Sequence, residues 1–152
     1  MNGWVRVLLA AAAAATVVAL STASGSSAPR GIDDDCLACM CWASSNCSMP
    51  TQVCKMNSWG EVCGPWAITE PYWMDGGRLF GDFYRCVENW QCNEDTVRNY
   101  LKRYVTNPDA KCQDYARTHA GGPLGAWNDG TLSYWYSVKD CLDYSIFTPP
   151  TV

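Results

Sequence analysis

The segment Cys36-Leu37-Ala38-Cys39-Met40-Cys41-Trp42-Ala43-Ser44-Ser45-Asn46-Cys47 holds four cysteines in twelve residues and no charged side chain. Asp33, Asp34 and Asp35 stand directly before it. Acidic residues complement the free N–H groups and the positive dipole end of a helix N-terminus. Leu37 and Met40 then recur at helical spacing, so the segment predicts a helix over about 34–44. Its cysteines read first as a disulfide framework. A zinc site is the weaker reading, because the lone His119 is far off in sequence and oxidation competes with chelation.

The N-terminal residues bear on the redox compartment. One positive charge, Arg6, precedes an apolar run over Val7–Leu20, and small residues Ser21-Thr22-Ala23 follow. This pattern predicts a secretory signal peptide over 1–23, too short and alanine-rich for a spanning helix. Residues 24–33 read as a flexible lead, 34–145 as one domain, and 146–152 as a tail. All ten cysteines lie in the predicted mature chain. In an oxidising compartment that even count implies five disulfides and extracellular localisation.

The full chain has 11 Lys and Arg against 15 Asp and Glu. An acidic chain with no basic run, no glycine-rich phosphate loop and no second hydrophobic span offers little for nucleic acid, nucleotide or membrane binding. No cofactor is expected.

Beyond the first helix, Gln52–Thr69 predicts a small antiparallel hairpin turning at Asn57-Ser58-Trp59-Gly60. Glu70-Pro71-Tyr72-Trp73 suits a short helix with proline in its first turn. Phe80–Trp90 predicts one helix. Asn93 is expected to cap a second, with Val97, Tyr100, Leu101 and Tyr104 on one face. Asp109 is expected to cap a third, ending near Gly121-Gly122-Pro123, and Thr131 a last one carrying Leu132, Trp135, Val138 and Leu142. The expected class is a small α+β domain, mostly helical with one short hairpin. Disulfides would supplement a core that this chain length leaves modest.

CLACMC (36–41), CKMNSWGEVCGPWAI (54–68), YWMDGGR (72–78), TVRNYLKRY (96–104), YARTHAGGP (115–123) and YWYSVKDC (134–141) occur in one register. Together they resemble the invertebrate-type lysozymes, also called the destabilase family, over about residues 36–142. The resemblance implies a lysozyme-like fold, secretion and hydrolysis of peptidoglycan. It implies the pairs Cys36–Cys112, Cys39–Cys141, Cys41–Cys47, Cys54–Cys63 and Cys86–Cys92. The family's further cysteines would fall at Gly76 with Thr96, and near Pro108 with Ala126. Both partners of each pair are absent, as loss of a whole disulfide requires.

A glycosidase of this type needs one protonated carboxyl and one ionised carboxylate. The resemblance places them at Ser44 and Asn57, where this chain has neither. Muramidase activity near background is therefore expected, with Glu61, across the predicted turn, as the one candidate replacement. Isopeptide cleavage in some relatives is attributed to a serine before the second hairpin cysteine. Here that stretch is Gly60-Glu61-Val62, the lysine position is Thr69, and only His119 remains as a base.

Asn57, Tyr72, Trp73 and His119 fall in segments that border the family's sugar groove. Amides bond sugar hydroxyls, and aromatic faces offer apolar contact. Trp42 and Trp59 flank the two replaced positions. Most aromatic residues of so small a domain fill its core. Asn46-Cys47-Ser48 is a glycosylation sequon two residues from Ser44. Three functions follow as expectations: an impaired lysozyme-like binder of peptidoglycan or chitin in defence or digestion; an active hydrolase using Glu61; or a secreted modulator that binds a host or microbial protein.

Overall fold

The structure is a computed structural model that describes residues 31–58 and 60–144. The expected signal peptide, nearly all of the lead, the tail and Trp59 lie outside the described residues.

Helix α1 spans Asp34–Ser45. Asp33 caps it, its Oδ1 accepting from the Cys36 N–H at 2.7 Å. Cys36, Leu37, Met40 and Cys41 form its buried side. Asn46 ends it in a left-handed conformation, φ 55°, and Cys47 follows at φ 48°. Strands β1, Cys54–Asn57, and β2, Gly60–Cys63, form the one described sheet. It is antiparallel, with Lys55 opposite Val62 and Met56 opposite Glu61. A turn over 64–67 leads to α2, Glu70–Asp75, capped by Thr69 with Pro71 in its first turn.

The next stretch departs from expectation. No single helix runs over 80–90. Phe80 and Gly81 both adopt positive φ, 63° and 69°, which interrupts right-handed helix. A single 3-10 turn at Leu79–Gly81 precedes α3, Phe83–Val87, capped by Asp82. Helix α4 spans Trp90–Tyr104, and its cap is Asn89 rather than Asn93. Asn93 is fully buried inside the helix, where its Oδ1 accepts from the Trp66 N–H at 3.3 Å. The expected face is present, with Val97, Tyr100 and Leu101 buried.

Helix α5, Cys112–Gly121, begins after Lys111 rather than at Asp109. Asp114 reaches back to accept from the Lys111 N–H at 2.8 Å. The N–H of Asp109 is itself held by Asn107 Oδ1 at 3.0 Å. A 3-10 segment at Gly122–Trp127 leads to α6, Leu132–Tyr144. Thr131 precedes α6 but does not cap it. Its hydroxyl lies 2.9 Å from the Gly125 carbonyl and accepts from Arg117 Nε at 2.9 Å, tying the loop to α5.

Met40, Ile68, Val87, Val97, Leu101 and Val138 are fully buried and draw α1, α3, α4, α6 and the segment after β2 around one core. Five disulfides lie across it: Cys36–Cys112, Cys39–Cys141, Cys41–Cys47, Cys54–Cys63 and Cys86–Cys92. Gly76 faces Thr96, and a β-carbon on Gly76 would stand 2.7 Å from Thr96 Cγ2. The two positions linked above as a missing disulfide are thus spatial neighbours.

Candidate functional site

The last turn of α1, the chain after it, the hairpin and the 64–67 turn enclose a groove of about 330 Å³. Trp42, Ser44 and Asn46 line one side, Lys55 and Val62 the other, and Ala67 lies at the turn. Trp42 is 38% exposed, so its indole presents apolar surface there. Among the described residues the lining contains no aspartate or glutamate.

Ser44 is half-buried and bonded on its inner side. Its Oγ lies 2.9 Å from the Met40 carbonyl and 3.0 Å from Tyr134 Oη. Tyr134 Oη also donates to the Met40 carbonyl, at 2.9 Å. Ser44 and Tyr134 have one proton each, so this closed triangle consumes both. Tyr134 was not singled out by sequence reasoning, although a signal existed. It sits seven residues, two helical turns, before Cys141, and Cys39 sits five before Ser44. The Cys39–Cys141 bond between antiparallel helices therefore brings Tyr134 to Ser44.

The hairpin register decides the reach of its side chains. Successive strand residues point to opposite faces. Lys55 and Val62 share the groove face, and Asn57, opposite Gly60, is on that same side at the exposed tip. Glu61 pairs with Met56 on the other face. Its carboxylate accepts from Tyr84 Oη at 3.1 Å. Glu61 therefore does not stand in for a carboxylate beside Asn57.

The other groove candidates lie deeper than expected. Tyr72 is buried and stacks on Tyr100 with ring centroids 3.6 Å apart. Trp73 is buried and donates from Nε1 to the Leu79 carbonyl at 3.0 Å. Neither lines the groove, and neither does His119. His119 Nε2 lies 3.0 Å from the Trp66 carbonyl, which can only accept, so Nε2 carries the proton. Nδ1 then accepts from Tyr72 Oη at 2.9 Å. With both ring nitrogens engaged, His119 is a strut between α2, α5 and the 64–67 turn, and among the described residues no serine is hydrogen-bonded to it.

Burial pushes the His119 pKa down to about 4, against a smaller opposing effect of its bond to the Trp66 carbonyl. The tyrosines around it are shifted upward. Burial raises Tyr72 and Tyr134, and burial with neighbouring Tyr104 and Asp75 raises Tyr100 to about 12. The cluster beneath Ser44 is thus neutral at ordinary pH.

A pH dependence follows. Above the unfolded-state value of about 6.5 His119 is neutral in both states and contributes no slope. Between about 6.5 and about 4 the unfolded chain binds the proton first, so stability falls as pH falls. The loss from this group alone is at most about 3 kcal/mol. Melting curves from pH 7 to 4 should show a steeper decline for wild type than for His119→Gln. Parallel declines would mean that His119 is not held neutral.

Among the described residues one cluster has metal-type side chains, Cys54, Glu61 and Cys63. Its two sulfurs are joined to each other, which removes them as ligands. No described helix is long and apolar enough to cross a membrane.

Comparison with known proteins agrees with this architecture. The Destabilase family model matches residues 33–141. A lysozyme of Ostrea edulis is 37% identical over 131 residues, covering 84% of this chain and 93% of the relative. An invertebrate-type lysozyme of Ruditapes philippinarum is 36% identical, covering 71% of this chain and 80% of the relative. The crystal structure of Tapes japonica lysozyme superposes with TM-score 0.63 at 33% identity, covering 70% of this chain and 88% of that one. Meretrix lusoria lysozyme, in complex with PliI of Aeromonas hydrophila, superposes with TM-score 0.65 at 33% identity, covering 72% and 89%. The family model, the relatives and the shared fold agree, and the chain belongs to the destabilase family, the invertebrate-type lysozymes.

Proposed function

We propose that this protein is a secreted lysozyme-fold protein that holds amino-sugar polymers, peptidoglycan or chitin, in the α1–hairpin groove and cleaves them at or near background rate. The observation that carries this reading is a groove with Ser44 at its wall and, among the described residues, no carboxylate in its lining. A serine hydroxyl does not protonate a glycosidic oxygen near neutral pH, and general acid catalysis contributes about 10²–10⁴-fold. Asn57 keeps an amide at the hairpin tip but has no charge to stabilise an oxocarbenium-like centre.

What the groove retains suits binding. Asn46 and Gln52 offer amides, and Trp42 offers an indole face. The five disulfides support an oxidising, extracellular destination. Co-sedimentation with insoluble peptidoglycan and with chitin tests the binding. Retention on at least one is expected, and the protein staying in the supernatant with both would sink the reading. Glu61→Gln should leave any residual wall clearing unchanged, since that carboxylate faces Tyr84. Lost clearing in that variant would restore the active-hydrolase reading.

A second reading has one observation in its favour. Meretrix lusoria lysozyme is found in complex with a protein, PliI. A member without carboxylates in its groove could serve as a protein-binding modulator in defence, and co-purification with such a partner but with no glycan would favour it. Asn46 bears on both readings. It lines the groove and its side chain is exposed. A glycan on the Asn46-Cys47-Ser48 sequon would narrow the opening. Intact mass before and after peptide-N-glycosidase treatment decides its occupancy.

A further inference from the structure

Four aromatic rings from α5, α2 and α4 form a continuous path through the core. His119 and Tyr72 stand edge to face with centroids 5.3 Å apart. Tyr72 stacks on Tyr100 at 3.6 Å, with 16° between the rings. Tyr100 meets Tyr104, one turn on along α4, at 4.7 Å. Tyr72 and Tyr100 are only 8% and 4% exposed, whereas Tyr104 is half-buried at the end of its helix. A second ring pair abuts the path. The exposed Trp90 packs on the buried Trp66 at 5.3 Å, and the Trp66 carbonyl holds His119 Nε2.

Rings in contact fill many cores. What distinguishes this path is a proton acceptor at each end. A phenol gives up an electron readily only when its proton leaves with it. Tyr72 Oη donates to His119 Nδ1 at 2.9 Å, and that nitrogen is bare because Nε2 carries the proton. Tyr104 Oη donates to the Asp75 carboxylate at 2.8 Å. Tyr134, by contrast, donates to the Met40 carbonyl, which does not take a proton away. Burial makes His119 a weak base, but an oxidised phenol is acid enough to protonate it.

We propose that Tyr72, Tyr100 and Tyr104 form a redox relay that carries one-electron oxidation out of the core to the surface at Tyr104. A one-electron oxidant, such as a radical derived from peroxide, takes an electron from Tyr72 by way of Trp66 and Trp90. The Tyr72 phenolic proton moves to His119 Nδ1. The Tyr72 phenoxyl then takes an electron from Tyr104 across the Tyr100 ring and recovers its proton from His119. Tyr104 passes its own proton to Asp75. A soluble one-electron reductant such as ascorbate restores Tyr104, and Asp75 returns the proton. Met40, an oxidisable thioether fully buried in the same core, is thereby spared. The relay is independent of glycan binding.

Pulse radiolysis of the disulfide-intact protein in azide solution tests it, because the azide radical takes single electrons from indole and phenol rings. The indolyl band should decay as the phenoxyl band grows, at a rate independent of protein concentration. Dityrosine, the product of two coupled phenoxyls, is then located by peptide mapping. It should form severalfold more at Tyr104 than at Tyr84. Tyr84 is the internal control. It is 52% exposed and donates to a carboxylate, Glu61, but its ring packs on Phe83, which does not carry the oxidation onward. Tyr72→Phe keeps a ring in the stack, and should slow phenoxyl growth severalfold and lower the Tyr104 share. Asp75→Asn, a surface change, should lower that share with little change in melting temperature. Phenoxyl growth that scales with protein concentration, or dityrosine at Tyr84 ahead of Tyr104, would overturn the relay. So would a folded Tyr72→Phe protein that behaves as wild type.

Discussion

Bacterial wall suspensions are expected to stay turbid with the wild-type protein and to clear when Ser44→Glu and Asn57→Asp are introduced together. The gain should be about 10²–10⁴-fold over wild type, the usual contribution of a positioned proton donor. Each single variant should fall well short of the double, because an acid and its partner act as a unit. Position 44 lines the groove, so a glutamate introduced there would stand at its wall.

Tyr134 adds a second expectation to the same experiment. Its hydroxyl, which donates to the Met40 carbonyl in the wild type, lies 3.0 Å from Ser44 Oγ and would turn its proton to the new carboxylate, the stronger acceptor. A donor on a carboxylate favours the ionised form and lowers its pKa. A general acid must be protonated to work. Tyr134→Phe on the double-variant background should therefore raise that pKa and extend activity to higher pH. A pH–rate profile shifted the other way would show that Tyr134 does not address position 44. A well-folded double variant that clears nothing would mean that the groove no longer seats wall glycan productively.

Removing the Cys39–Cys141 bond, by Cys39→Ala and Cys141→Ala, is expected to cost the most stability of any disulfide. The two cysteines are 102 residues apart, whereas Cys41 and Cys47 are only 6 apart. Chain entropy then assigns about 4–5 kcal/mol to the first bond and about 2 kcal/mol to the second. Denaturant midpoints of the two double variants should differ accordingly, and equal shifts would refute the ordering. Binding should follow the opposite order. The short bond closes the turn in which Asn46, the cap of α1 at the groove wall, and Cys47 adopt left-handed conformations, and such backbone costs about 1–2 kcal/mol at an ordinary residue such as Cys47. Without the bond that turn is free to relax. Cys41→Ala/Cys47→Ala should thus lose glycan retention out of proportion to its stability change.

Much of the frame was readable from local chemistry. Asp33–Asp35 ahead of Leu37 and Met40 marked α1 because caps and acidic first turns act within a few residues. Pro71 marked the first turn of α2 for the same reason. The expectation for Phe80–Trp90 failed on backbone conformation, since the left-handed Phe80 and Gly81 have no periodicity signature. Asn93 and Asp109 failed as caps because better-placed competitors existed. Asn89 receives the Cys92 N–H, and Asp114 reaches back to Lys111, while Trp66 claims Asn93 from 27 residues away.

The candidate site divides along the same line. The sequence alone determined which chemistry was available: serine at 44, asparagine at 57, one histidine, and ten cysteines able to pair. Those are identities, and no fold alters them. Only the tertiary structure decided which side chains meet. Strand register turned Glu61 away from the groove and left Lys55 on its face. Packing drew Tyr72 and Trp73 into the core and gave both nitrogens of His119 structural partners. The Cys39–Cys141 bond set Tyr134 against Ser44 across 90 residues of chain. Residue type sets what a group can do, while direction and burial, which depend on partners distant in sequence, set whether it is placed to do it.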